Sequence, residues 1–506
     1  METWFIIIVS LFISFLIKSI FATLRSSTHP KLPPGPPAIP FIGNFIWLCK
    51  PFSEVEMILR RLKTCYGSLI TMRFGLNHVI FVFSHSFAHR ALIQKGAVFS
   101  DRPSLVNRNQ NLITSANYGP TWRLLRRNLT QEILNPPRVR SLSGSRCFVL
   151  SGLFHRLLHD TAPQSARLVD HFQYTIFYLL ALICFGERLQ EKQIKEIEAV
   201  LHLPLLASQF GALNHYPPRL GKILFYRRYK KMMQFHQKQN NVLIPIIRAR
   251  LESKRQRQKD DDVLAYVDTL LDLQLPEENN RKLNETELVG LCGEFLRAGT
   301  LTTTVTLQWI MANLVKYPRI QTRLYDEIVS IMGPPPVFSD DAQQFRVVEE
   351  GDVQKMPYLK AVVLEGLRRH PPIHFLLMHK VSEDVELDGY KIPRNTQVNF
   401  MVAEMGLDPE VWEDPLEFKP ERFFNKTDAV DITGSREIKM MPFGAGRRIC
   451  PAWGLGMLHL EYFVANLIWH FEWTPLEGYE VDLTEKHGST VVMENPLHAR
   501  ISPRVQ

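Results

Sequence analysis

Scarcity narrows the field first. The 506 residues hold six cysteines, Cys49, Cys65, Cys147, Cys184, Cys292 and Cys450, with no C-x-x-C pair and no closely spaced Cys/His set. That argues against a disulfide framework and against a zinc site, and fits a chain working in reducing cytosol. Internal repeats are absent, as are zinc-finger and RNA-binding signatures, so the formal charge of +9 does not point to nucleic acid. The excess is local: residues 225–259 carry 11 lysines and arginines against one acid. Such a segment is either the solvated face of a long helix or a contact for anionic membrane lipid. A hydrophobic content of 45% excludes a disordered or fibrous chain.

One apolar run stands out. Thr3 to Leu24, "TWFIIIVSLFISFLIKSIFATL", would span about 33 Å as a helix against a hydrocarbon thickness of about 30 Å. Its start is acidic at Glu2 and no A-x-A site follows, so residues 1–24 read as an uncleaved transmembrane signal anchor. Lys18 can carry its ammonium to the interface, and Arg25, His29 and Lys31 leave the remaining chain on the cytosolic side. Residues 25–40, with "KLPPGPPAIP", form a stiff Pro-rich hinge. Residues 41–506 follow as a single domain. Within it "SLITMRFG" and "VIFVF" predict a hairpin, "TQVNFMV" a further strand, and the stretches from about Trp122 to Tyr317 and around "EYFVANLIWHF" predict long helices. The fold class is therefore mainly α with a minor β part.

The chemistry centres on "MPFGAGRRICPAWG". Gly444 and Gly446 permit a bent backbone, and Pro451 suits the first turn of a following helix. A sulfur at a helix N-terminus meets unpaired N–H groups that favour thiolate over thiol, which suits a metal ligand. No histidine lies beside Cys450 to serve as the base of a nucleophile, His459 being nine residues on. The cysteine alone reads more readily as a buried small hydrophobe; a single thiolate on haem iron accounts for it together with its neighbours.

"FGAGRRICPA" resembles the haem-binding loop of the cytochrome P-450 haem-thiolate monooxygenases, and three further motifs follow the family's order: "WRLLR", "AGTLTTT" and "EGLR", with "PERF" after them. The hinge and anchor resemble the plant microsomal branch. The resemblance implies a cytochrome P-450 fold behind an N-terminal transmembrane helix. It implies haem b on Cys450 within a loop bearing Phe443 and Gly446, haem carboxylates held by Trp122, Arg126, His379 and Arg448, and an oxygen-side helix with Ala298, Gly299 and Thr302. Glu365, Arg368 and Arg422 would form a buried network behind the cysteine loop. Arg123 and Arg127, i and i+4 on a neighbouring face, would meet an acidic electron donor. The middle of the 284–315 helix, capped by Asn284 and Glu287, is expected to open locally around Ala298, Gly299 and the threonines.

One departure matters. Leu301 stands where the family carries an acid beside the threonine, and leucine cannot relay a proton. Glu294, seven residues earlier, could connect only through water, about 10 Å away along the axis. The same residues also suit a reductase-independent haem-thiolate isomerase or dehydratase, or a haem protein that only binds a ligand. For the monooxygenase, the resemblance implies O2 as co-substrate, NADPH electrons through a membrane NADPH-cytochrome reductase, cytochrome b5 as a further partner, and a monomer on the endoplasmic reticulum membrane. The lining expected by analogy, Arg102 to Thr121, Leu203 to Leu220, Glu294 to Thr304, Ile373 to Met378 and Thr490 to Met493, is mostly apolar and suits a lipophilic small molecule.

Overall fold

A computed structural model describes residues 32–38, 43–44, 52–74, 77–103, 111–159, 168–201, 226–256, 264–336, 346–424, 430–488 and 490–504, with positions 4, 10 and 223. The expected anchor, most of the hinge and the 203–220 lining segment lie outside the described residues. The elements that position the site are α1 (Phe52–Tyr66), β1 (Leu69–Phe74), β2 (Asn77–Val82), α2 (Pro120–Asn128), α3 (Leu168–Phe185), α4 (Tyr226–Gln256), α5 (Glu285–Lys316), α6 (Pro357–Arg369), β3 (His379–Lys380), β4 (Gln397–Phe400), α7 (Trp453–His470), β5 (Glu485–Lys486) and β6 (Val492–Met493).

Helix α5 starts at its sequence signal. The Asn284 side chain accepts the Glu287 N–H at 2.9 Å, and Glu287 accepts the Asn284 N–H at 2.9 Å, a reciprocal cap that satisfies two otherwise orphaned donors. α3, α4 and α7 pack around it, and residues 303–315 are buried without interruption. α3 is long and apolar enough to cross a membrane by composition alone, yet 67% of it is buried inside the fold, mainly against α5. Gly299 lies at this crossing, where a Cβ would come within 2.7 Å of Leu180 Cδ1 and make that side chain shift. The expected local opening is absent: the hydroxyls of Thr300, Thr302 and Thr306 donate to the carbonyls four residues back, but they do so beside an unbroken α pattern. These carbonyls can take a second donor, so the threonines decorate the ladder without displacing it.

The β part is small. One sheet runs in the order β1-β2-β4-β3, with β1/β2 an antiparallel hairpin pairing Leu69 with Val82, and β2/β4 parallel. Its apolar face rests with α1 on a satellite core of Val55, Leu59, Ile70 and Phe81. The basic segment forms α4, and not all of it is solvated. Arg250 is buried in a bidentate pair with Asp268, at 3.0 and 2.7 Å.

Candidate active site

The loop before α7 is tightly specified. Gly446 has φ +69°, and a Cβ there would lie 2.0 Å from the Leu92 carbonyl oxygen, so only glycine allows this approach. The Cys450 N–H donates to Phe443 O at 2.8 Å and closes the turn. α7 begins at Trp453, not at Pro451 as expected. The intervening turn points the Ala452 N–H at the Cys450 sulfur, the local donor that a helix start would otherwise supply. Burial still wins at the thiol: it is pushed up, with the Ala452 N–H and the Arg126 charge opposing.

Around this loop cations gather, bonded to backbone carbonyls. Arg448 donates to the carbonyls of Ser100 at 2.8 Å, Ile113 at 3.1 Å and Ala116 at 2.6 Å. Arg126 donates to Ile449 O at 2.6 Å. Arg102, which sequence reasoning places only at the edge of a lining loop, donates to the carbonyls of Thr114 at 3.0 Å, Leu377 at 2.6 Å and Met378 at 2.9 Å. Among the described residues none of the three forms a salt bridge. Burial pushes Arg102 down to about 9 and Arg448 to about 10, and burial with the neighbouring Arg102 holds His379 well below its ordinary value. Neutral His379 contacts Phe99 O through Nδ1 at 2.7 Å.

Trp122 is placed differently from the expectation. Its indole N–H donates to Ile113 O at 3.0 Å and is not left for a carboxylate, while its ring lies under two guanidiniums, Arg448 at 4.4 Å and Arg126 at 5.4 Å. The tryptophan is a platform for the arginines. Such a donor set, partly buried, cationic and without ion pairs among the described residues, fits a group carrying two carboxylates beside a cysteine sulfur.

The accessible stripe of α5 is Ala298, Leu301 and Thr302, spaced i, i+3 and i+4. Thr302 gives its hydroxyl proton to Ala298 O at 2.7 Å, which leaves its lone pairs for a donor on the accessible side. Glu294 is committed elsewhere. Its carboxylate accepts the N–H groups of Ile113 at 2.9 Å and Thr114 at 2.8 Å, and the Thr114 hydroxyl as well. Burial pushes its carboxyl up despite these donors.

Behind the loop, Arg368 meets Glu365 through two bonds, at 2.7 and 2.8 Å, and gives its remaining donors to the carbonyls of Gly406, Pro415 and Glu417. Arg422 reaches Glu365 at 3.3 Å and the Lys419 N–H at 2.8 Å completes the carboxylate. The expected three-residue network is thus assembled. On the outer side Arg123 and Arg127 are exposed, joined by exposed Arg447, and both Arg123 and Arg447 lie over the Tyr118 ring, at 4.7 and 5.2 Å.

Comparison with known proteins agrees with this geometry. The cytochrome P450 family matches residues 33–500. The chain is 47% identical to cytochrome P450 89A9 of Arabidopsis thaliana, over 99% of this chain and 98% of the relative. It is 30% identical to the 5-epiaristolochene 1,3-dihydroxylase of Nicotiana tabacum, over 99% of each. A zebra fish cytochrome P450 solved with progesterone superposes with a TM-score of 0.72 over 88% of this chain and 99% of that one, at 20% identity, a likeness of fold. Matched along nearly its whole length, the chain belongs to the cytochrome P450 family of haem-thiolate monooxygenases.

Proposed function

We propose that the protein is a membrane-anchored oxygenase that takes NADPH electrons from a membrane flavoprotein reductase and oxidises a lipophilic small molecule. Cys450 would hold the iron through its sulfur, and Arg102, Arg126, Arg448 and His379 would hold the haem carboxylates, with Trp122 fixing the arginines. When bound, haem supplies O2 activation. The rest is done by the chain: Thr302 accepts a hydrogen bond on the open side of α5, Ala298 and Leu301 shape the adjoining apolar wall, and Glu294 positions the 113–114 loop. Arg123, Arg127 and Arg447 offer a basic surface to the reductase and to cytochrome b5. The apolar run at 1–24 and the hinge at 25–40 support tethering to the endoplasmic reticulum, with residues 41–506 as one monomeric cytosolic domain.

The observation that carries this reading is the half-buried Cys450 beside three guanidiniums that donate to backbone carbonyls and form no ion pair among the described residues. Reduction under carbon monoxide should give the red-shifted Soret band of thiolate ligation, and Cys450→Ser should abolish it; an unaltered spectrum in the variant would overturn the assignment. NADPH consumption with added reductase then tests the electron source. With Leu301 in place of an acid and Glu294 bonded to the 113–114 loop, a water-borne proton supply to the Thr302 side is the route we propose. Leu301→Asp should therefore raise the fraction of NADPH recovered as product, unless the native enzyme already converts nearly all of it.

A further inference from the structure

Away from the haem site, Glu56 of α1, His374 in the segment after α6 and His487 just past β5 converge, with one donor atom of each within 4.8 Å of the others. His374 Nδ1 lies 3.0 Å from both oxygens of Glu56, and His487 Nδ1 lies 2.9 Å from Oε2. On the opposite side of both rings stands Glu485, whose Oε2 is 3.6 Å from His374 Nε2 and 4.0 Å from His487 Nε2. Each imidazole is therefore placed between two carboxylates. A neutral ring carries one N–H and can serve only one of them. Two imidazolium rings, with centroids 5.1 Å apart, would repel each other and Arg60, which already sits 2.8 Å from Glu56 Oε1.

A single divalent cation between Glu56 and the two Nδ1 atoms resolves the conflict. Both rings then stay neutral, with Nε2–H turned toward Glu485. We propose that Glu56, His374 and His487 form a site of two histidines and one carboxylate for a first-row divalent metal such as Zn2+, with Glu485 orienting both imidazoles from behind. With bonds of about 2.1 Å, neighbouring ligand atoms sit ~3.0 Å apart in an octahedral site and ~3.4 Å in a tetrahedral one, so the N···O spacings of 2.9 and 3.0 Å need little adjustment. His374 is 1% exposed, and its Nε2 faces Glu485 Oε2 at 3.6 Å, away from the proposed ion.

The site is a clasp. It joins α1 and the small sheet to the β5–β6 hairpin. That hairpin is tied to the core by the Val491 N–H on Pro372 O and by Trp309 Nε1–H on Val491 O, both at 3.0 Å. Its ligands lie far apart along the chain, which is why no spacing in the sequence announces it.

The test uses the full-length haem-loaded protein, expressed with added Zn2+, desalted and submitted to elemental analysis and zinc K-edge absorption. About one zinc per chain with an imidazole scattering signature is expected, stripped by a chelator with a fall in Tm that Zn2+ restores. His487→Gln, at the least buried ligand, should lower the zinc content to below about a tenth while the Soret band persists. If that variant fails to fold, the native absorption spectrum decides alone. Equal zinc content in the native protein and the variant, or a Tm that follows pH but ignores both Zn2+ and chelator, would mean that the imidazoles hold protons only, and would overturn the site.

Discussion

Two buried sets of guanidinium groups in this molecule obey opposite rules. Around Glu365, every strong donor of Arg368 and the nearer one of Arg422 ends on a carboxylate or carbonyl, and the central charge pair is fully enclosed. Around Cys450, Arg102, Arg126 and Arg448 end on carbonyls alone. A closed set of this kind is architecture. An open one is stable only as far as the backbone dipoles carry it, and gains most when an anion arrives.

The contrast can be broken from either side. Arg368→Met should have the largest effect, because it strands the buried Glu365 charge; a loss of about 3–5 kcal/mol is expected, seen as a collapse of folded yield whether or not haem is supplied. Arg102→Met should separate the two states. In the haem-free protein the thermal midpoint should hold or rise, since a buried uncompensated charge has gone, whereas haem binding should weaken by about 1.5–3 kcal/mol, measured as faster transfer of haem to an apoprotein acceptor. Equal destabilisation of both forms would erase the distinction.

The smallest effect concerns a lone acid that belongs to neither set. Glu461 on α7 is pushed up to about 7 by burial, with Lys360 opposing only weakly. Its folded pKa exceeds the ordinary value of 4.5, so the folded state binds the proton more tightly. Its contribution is present at low pH and is lost as pH rises from the unfolded value through about 7. Glu461→Gln should leave the midpoint unchanged at acid pH and raise it above neutrality, as thermal scans on the two sides of the transition will show.

How much of this is legible in the sequence depends on whether the signal is local. The cap of α5, the β1/β2 hairpin and the E-x-x-R spacing each lie within a few residues, and the structure forms all three. The parallel pairing of β2 with β4 joins segments far apart in the chain, and no pattern in either strand names the other. Arg102 escapes notice for a similar reason. Its acceptors, Thr114 and the 377–378 backbone, are invisible from "FSDRP". Gly299 reads as room for a small ligand, whereas its missing Cβ admits Leu180 of α3; sequence reports that space is needed, not on which side. Glu294 shares a stripe with Leu301 by count, but both its oxygens are claimed by the 113–114 loop.

That last arrangement has a mechanical consequence. The Ile113 peptide hangs from Glu294 by its own N–H, while its carbonyl receives Trp122 and Arg448. Displacement of α5 at Glu294 would therefore be felt at Trp122 and Arg448, because the Ile113 peptide bridges the carboxylate on one side and both side chains on the other.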